Sequence, residues 1–329
     1  MTKALAMISG GLDSILAAKL IKEQGIEVIG ICFRSYFFSE ESAKKMTKQI
    51  DIPLMVVDFS NEHLDMVKNP KHGRGKNMNP CIDCHAMMMN YAGKLLEEYK
   101  ADFIITGEVL NQRPMSQNRQ ALNIVKKESG FANKILRPLC AKNLDPTEME
   151  LSGLVDREKL LDISGRSRKA QMELAEKWGI TEYPSPAGGC KLTEPNYALR
   201  LKDLLDYKNE VEEDELSLLR YGRHFRTKDN NKIIVARTKD EGDMIKNHID
   251  GSYYSFHTSD FSGALVLLQG EGTEEDRKLA ARISGRYSKG RTEKVLKVKF
   301  GKYGSKFNSE IEVEPISDEE LQEYIVSVK

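Results

Sequence analysis

Short apolar runs alternate with amphipathic stretches along the N-terminal part of the chain. Lys3–Ile8, Glu27–Phe33, Leu54–Asp58 and Phe103–Thr106 are compact runs of Leu, Ile, Val, Met and Phe, the signature of strands. Between them Ile15–Gln24, Glu40–Ile50 and Asn90–Tyr99 space their apolar residues as helices do. Strand–helix alternation of this kind predicts βαβ units in an α/β fold, a doubly wound parallel sheet with helices on both faces. Ligands of such sheets bind beyond the carboxyl ends of the strands.

Two stretches interrupt the pattern. Asn69–Pro80 holds Pro70, Gly73, Gly75 and Pro80 and reads as a loop, and Tyr183–Cys190 is too rich in Pro and Gly for a helix, although a helix at Gln171–Trp178 precedes it. Lys208–Glu215 is acidic and marks a change of composition. Beyond it Ile233–Arg237, Ala264–Leu268 and Thr292–Phe300 read as strands and Glu274–Ser284 as a helix. The expected organisation is an α/β domain over residues 1–205, a linker over 206–215 and a smaller α+β domain over 216–329.

Charge changes this picture only locally. Lys+Arg and Asp+Glu both number 50, so the total names no polyanionic partner. Basic residues nevertheless cluster at Lys68, Lys71, Arg74 and Lys76, and again at Arg157, Lys159, Arg166, Arg168 and Lys169. Between residues 277 and 302 ten basic side chains face a single acid, Glu293. Such a run suits either phosphate neutralisation or a solvated face. No apolar run approaches the roughly 20 residues of a membrane span, so no membrane partner is expected. No signal peptide precedes the first strand, and the five cysteines form no repeating framework, so a reduced, cytoplasmic setting is expected.

Candidate chemistry begins at Ser9-Gly10-Gly11-Leu12-Asp13-Ser14, between the first strand and the first helix. Two glycines let successive N–H groups face one anion, and the helix start adds its partial positive charge. Ser9 and Ser14 are placed to donate to phosphate oxygens, and Asp13 beside a polyphosphate calls for Mg²⁺ between them. The alternative is an ordinary strand–helix turn with Ser9 or Asp13 as a cap. Thr106-Gly107-Glu108 ends the fourth strand at the same edge, so Thr106, Gly107, Glu108 and Gln112 are candidates for the nucleotide pocket. Cys81 and Cys84 form a CxxC pair after Asn79-Pro80, and Cys190 follows Gly188-Gly189. Two thiols are too few for structural zinc; three suit a metal cluster or sulfur chemistry. His85, next to Cys84 on a helix, points away from it. Cys32 and Cys140 sit in apolar surroundings and read as buried small hydrophobes.

Taken together, SGGLDS, the EVIGICF strand, VVDFS at Val56–Ser60, NPCIDC, TGE and GGC resemble the tRNA thiouridine synthetases of the pyrophosphatase-loop superfamily, over Lys3 to about Leu205. The resemblance implies the adenine nucleotide α-hydrolase-like (HUP) fold. It implies that ATP adenylates a uridine carbonyl oxygen with release of pyrophosphate, and that sulfur then replaces AMP. Ser9, Gly10, Gly11, Asp13, Ser14, Thr106, Gly107, Glu108 and Gln112 would bind ATP, with Mg²⁺ on Asp13. Asp13, Cys81, Cys84 and Cys190 would be catalytic, with tRNA and a sulfur donor (sulfide or a cysteine desulfurase) as partners. The family delivers sulfur either by a two-cysteine persulfide relay or by a three-cysteine [4Fe-4S] cluster. Cys81, Cys84 and Cys190 are similar to the second, and the GGC run departs from the GIC context of the persulfide enzymes. No THUMP-type RNA-binding domain precedes Lys3, so RNA contact is expected from the C-terminal module. There Arg220–Arg226, Ile233–Arg237, His257, Asp260, Gly263 and Tyr287-Ser288-Lys289 resemble the NFACT-R RNA-binding domain. Lys71, Arg74, Lys76, Arg166, Arg168, Arg286, Lys289 and Arg291 are the candidate RNA contacts, with Tyr287 or Tyr303 available for stacking. Rival readings are an amide-forming ATP pyrophosphatase and an RNA-binding adaptor with a vestigial loop.

Overall fold

A strand buried on both faces has no reason to alternate apolar and polar residues, and the N-terminal strands follow that rule. In the computed structural model, which describes residues 2–185 and 189–328, they form one parallel sheet. Its elements are β1 (Lys3–Met7), α1 (Leu12–Lys22), β2 (Glu27–Arg34), α2 (Glu41–Gln49), β3 (Leu54–Asp58), α3 (Ser60–Lys68), α4 (Cys81–Lys94), β4 (Phe103–Thr106), α5 (Arg119–Glu128), β5 (Ile135–Leu136), α6 (Glu148–Leu151) and α7 (Lys169–Lys177). The strand order is β3-β2-β1-β4-β5. Ala4, Ala6 and Ile8 face a core with Ile15 and Leu16 of α1, Met46 of α2 and Ala175 of α7. Leu5 faces the opposite core, with Ile104, Met89 of α4 and Val125 of α5. The sheet therefore has helices on both faces, the doubly wound α/β arrangement that the alternation implied.

β2 and β3 extend the sheet from one side of β1, and β4 and β5 from the other. The point where the order reverses lies at the carboxyl ends of β1 and β4, where open α/β sheets bind their ligands. Met7 pairs with Thr106 in register, so residues 8–14 and Gly107-Glu108 leave the sheet side by side.

Several boundaries move. α1 begins at Leu12 rather than Ile15, with Gly11 in extended conformation as its cap, so Asp13 and Ser14 already belong to the first turn. α4 begins at Cys81 rather than Asn90, directly after Pro80. The strand expected at Thr292–Phe300 is displaced to Leu296–Lys302, because Glu293 N donates to Gly290 O in a turn that uses up the preceding residues.

The chain divides into compact units at Thr193/Glu194. The second unit comprises α8 (Pro195–Tyr207), α9 (Glu213–Leu218), β6 (Arg223–Arg226), β7 (Lys232–Val235), α10 (Lys239–Lys246), β8 (Tyr253–Thr258), β9 (Val266–Gln269), α11 (Glu274–Arg286), β10 (Leu296–Lys302), β11 (Ser309–Val313) and α12 (Asp318–Leu321). The division falls ahead of α8 rather than after residue 205. α8 packs in the second unit, where buried Arg200 donates to Leu219 O and Gly222 O at 2.9 and 3.0 Å. The acidic stretch is also tied down: Glu215 is buried and paired with Lys208 at 2.7 Å. The six strands form an antiparallel sheet, β11-β10-β8-β9-β7-β6. One face packs Phe256, Val266 and Val298 on Leu279 and Ile283 of α11, and the other packs Ile234 and Leu267 on Ile245 of α10. Among the described residues no helix is long and apolar enough to cross a membrane.

Candidate functional site

Between β1 and α1 the backbone folds into the expected cup. Gly10 has φ +80°, and a Cβ there would lie 2.6 Å from Ser42 Cβ and 2.7 Å from Ala43 N. Glycine is therefore required twice over, by its torsion and by the start of α2 pressed against it. Ser42 Oγ donates to Gly10 O at 2.9 Å, which ties the loop to α2. A Cβ on Gly107 would stand 2.5 Å from Ser14 N, so the exit of β4 touches the first turn of α1. The α1 amino end points its first-turn N–H groups and partial positive charge out of this cup, an arrangement suited to an anion. The two serine hydroxyls bond within the loop: Ser14 donates to Gly11 O at 2.8 Å, and Ser9 accepts from Gly11 N at 3.3 Å and donates to Ser14 Oγ at 3.4 Å.

Asp13 is held on one side only. Gln112 Nε2 donates to its Oδ2 at 2.8 Å, while Oδ1 is buried without a partner among the described residues. An orphaned carboxylate oxygen beside an anion site is the donor a small hard cation takes, so the residues fit Mg²⁺. Gln112 thus turns its amide on Asp13 rather than leaving it free to line a pocket.

Glu108 is also engaged. Its buried carboxylate accepts from Arg137 Nε at 2.8 Å and lies 2.8 Å from His85 Nδ1. Burial alone would raise its pKa, but the Arg137 charge and the His85 contact reverse that and hold it at about 2. His85, which neighbours Cys84 in sequence, is thereby directed to the end of β4 and not to the thiols. Thr106 Oγ1 accepts from Glu108 N at 3.3 Å.

All five cysteines are thiols. Cys81 and Cys84 open the first turn of α4, and Cys81 Sγ accepts from Asn79 Nδ2 at 3.1 Å. The loop before them is pinned in several places: Gly75 N donates to Asn79 O at 2.9 Å, and His72 N donates to Asp83 Oδ2 at 3.0 Å. The same loop reaches the third cysteine, because Asn77 Nδ2 donates to Thr193 O at 2.7 Å. Thr193 in turn closes a turn on Cys190 O, and Lys191 N donates to Phe37 O at 3.0 Å. Cys84 is half-buried; its pKa is raised well above the ordinary thiol value by desolvation first, then by the neighbouring Cys190, Cys81 and Asp83. Cys84 therefore lies within electrostatic range of both other thiols. No three His, Cys, Asp or Glu groups stand at metal-ligating spacing among the described residues. Gly188 of the GGC run lies outside those residues. Cys32 and Cys140 are buried, and burial pushes them up to about 12 and about 11.

The candidate RNA contacts divide into committed and exposed groups. Lys71 pairs with Glu128 at 2.6 Å, and Arg74 donates to Val67 O and Lys68 O at the end of α3. Lys76 and Arg166 are exposed, whereas Arg168 is half-buried with its Nε lacking a partner among the described residues. In the second unit Arg286 pairs with Asp318, Arg282 with Glu320 at 2.6 Å and Lys297 with Glu312 at 3.8 Å. The strand and helix that follow the basic run thus neutralise part of it, which a count along the sequence does not register. Lys289 and Arg291 are exposed. Tyr287 is half-buried under Arg223, whose guanidinium carbon lies 4.9 Å from the ring centre.

Sequence reasoning missed Gln171, Arg137, Asn77 and Ser42. Each acts through a partner distant in the chain, and none stands in a recognisable motif.

Comparison with known proteins finds matches in both parts of the chain. Residues 1–146 match the family described as thiamine biosynthesis protein (ThiI), and residues 222–325 match the NFACT protein RNA binding domain. The chain is 30% identical over 169 residues to a probable tRNA sulfurtransferase of Thermococcus kodakarensis, covering 49% of this chain and 40% of that protein. It is 33% identical over 124 residues to the tRNA-specific 2-thiouridylase MnmA of Clostridium acetobutylicum, covering 32% and 35%. The matched stretch thus spans less than half of either relative. A solved 4-thiouridine synthetase–RNA complex with bound ATP aligns with a TM-score of 0.35 and 20% identity, over 54% of this chain and 52% of that one.

Proposed function

We propose that the chain is an ATP-dependent tRNA sulfurtransferase, supported by the match of residues 1–146 to the ThiI family, the match of residues 222–325 to the NFACT RNA binding domain and the similarity to a probable tRNA sulfurtransferase. ATP binds at Ser9–Ser14, with its phosphates on the start of α1 and Mg²⁺ on Asp13. A uridine carbonyl oxygen attacks the α-phosphorus, pyrophosphate leaves, and the oxygen becomes part of a good leaving group, AMP. A sulfur nucleophile then displaces AMP from the ring carbon. The RNA is held by the exposed basic residues of the second unit, such as Lys289 and Arg291, together with Lys76 and Arg166.

One observation supports the sulfur half of this reading: Cys81 and Cys190 both lie within electrostatic range of Cys84, in the same unit as the Ser9–Ser14 loop. Three thiols are the soft donor type that a [4Fe-4S] cluster takes, so Cys81, Cys84 and Cys190 are the residues that would hold one, after closing to ligating distance. Such a cluster would supply iron chemistry able to hold a sulfide-level nucleophile for the displacement. The chain's own residues provide the thiolates, half-bury Cys84 and pin the loop before it through Asn77 and Asn79.

Replacing Cys190 by Ala tests the proposal. The variant is expected to retain tRNA-dependent pyrophosphate release, to lose bound iron after anaerobic purification and to form no thiouridine. Full thiolation by Cys190→Ala would overturn the assignment of the three-cysteine site.

A further inference from the structure

Asp13 is the end of a chain of amides. Its Oδ2 accepts from Gln112 Nε2 at 2.8 Å, and Gln112 Oε1 accepts from Gln171 Nε2 at 3.3 Å. Gln171, on α7, is wholly buried. Two oxygens of this chain, Asp13 Oδ1 and Gln171 Oε1, are buried with no partner among the described residues.

The direction of the chain is fixed from the carboxylate end. An ionised carboxylate only accepts, so Gln112 must turn its NH₂ towards Asp13. Its carbonyl then faces Gln171, which must turn its own NH₂ inward. The amide oxygen of Gln171 is what remains. Rotating Gln171 by half a turn does not rescue it, because two carbonyl oxygens would then face each other. Native interiors rarely keep such an orphan, and its persistence calls for a function that needs this one arrangement.

We infer that Gln171 is a positioning residue for Asp13: acting through Gln112, it fixes the carboxylate in the orientation that leaves Oδ1 open to the Mg²⁺ that accompanies ATP. This rests on the reading of Ser9–Ser14 as an ATP site. Gln112 alone could swing its amide end for end. Gln171 removes that freedom by occupying the carbonyl. Asp13 then presents the same oxygen each time metal and nucleotide arrive, so less ordering remains to be done on binding.

The test is calorimetric titration of ATP into the full-length protein, with Mg²⁺ at graded concentrations and with EDTA, for wild type, Gln171→Met, Gln112→Met and the double variant. Mn²⁺ binding followed by electron paramagnetic resonance gives the cation affinity directly. Gln171→Met keeps the length and removes the donor. It is expected to raise the Mg²⁺ midpoint and weaken Mn²⁺ binding about three- to tenfold, the range of one neutral hydrogen bond. ATP affinity in EDTA should be unchanged. The thermal midpoint should not fall, since the variant also removes the orphaned oxygen. The double variant should be no worse than Gln112→Met, because Gln171 acts only through Gln112.

Equal loss of ATP affinity with and without Mg²⁺, additive losses in the double variant or no change in the Mg²⁺ midpoint would each overturn the inference. If wild type itself bound no ATP in Mg²⁺, the failure would lie with the ATP reading and would take the inference with it.

Discussion

Replacing Glu108 by Gln removes the carboxylate that pairs with buried Arg137, whose side chain is 5% exposed. The magnitude follows from the depressed pKa. Between its ordinary value of 4.5 and about 2, at roughly 1.4 kcal/mol per pH unit, lies about 3 kcal/mol of stabilisation. The sign follows from the direction of the shift. A carboxylate with a lowered folded-state pKa contributes fully above its unfolded value and loses that contribution as pH falls through the folded value. The gap between wild type and Glu108→Gln should therefore be flat near neutrality, shrink below pH 4.5 and retain about 2 kcal/mol at pH 3.5. Trp178, the single tryptophan, packs against the core of the first unit, so its fluorescence reports urea unfolding of that unit alone. At pH 7 the variant should melt roughly 6–12 °C lower, at about 2–4 °C per kcal/mol for a unit of this size. The double variant Glu108→Gln/Arg137→Met should recover part of the loss, because a guanidinium left alone in the interior is costlier than no ion pair. A variant within about 1 kcal/mol of wild type at pH 7 would refute the reasoning. A gap that stayed constant between pH 6 and pH 3.5 would refute it as well.

Three further outcomes are expected besides the response to Cys190→Ala and the magnesium dependence of Gln171→Met. Gly107→Ala places a methyl 2.5 Å from Ser14 N and should lower the Trp178-detected melting point and abolish pyrophosphate release. Gly11→Ala, whose nearest neighbour is Ser9 Oγ at 3.5 Å, should melt like wild type; equal destabilisation by the two would count against the close approach of β4 to α1. For tRNA, Lys289→Gln and Arg291→Gln should each reduce the slope of log affinity against log salt by about one, whereas Lys297→Gln, at a site already paired with Glu312, should change it less. Equal slopes for all three variants would remove the distinction between committed and exposed cations.

The sequence made some features legible and hid others, and the division has a physical cause. β1, β2 and β4 are buried on both faces, so their apolar runs are continuous and locate strands without ambiguity. Phosphate-loop glycines are visible because torsion and close approach admit no other residue at Gly10. Helix starts are harder to see: Asp13 and Ser14 look like loop residues, yet they occupy the first turn of α1, where acids and small hydroxyls are favoured. Charge was overcounted for a related reason. A window from 277 to 302 holds one acid, but antiparallel pairing sets Glu312 opposite Lys297, and α12 brings Asp318 to Arg286. The candidate site was half legible in the same way. Cys81, Cys84 and Cys190 announce themselves by type and by their glycine and proline neighbours. Glu108–Arg137 and Gln112–Gln171 are separated by 29 and 59 residues and obey no helical or strand period. Periodicity encodes which face of an element is buried, and a polar pair satisfies a donor rather than a face. Only when β4 is placed beside β1 does its exit bring Gln112 to Asp13, and only the return of α7 supplies the second amide that sets its direction.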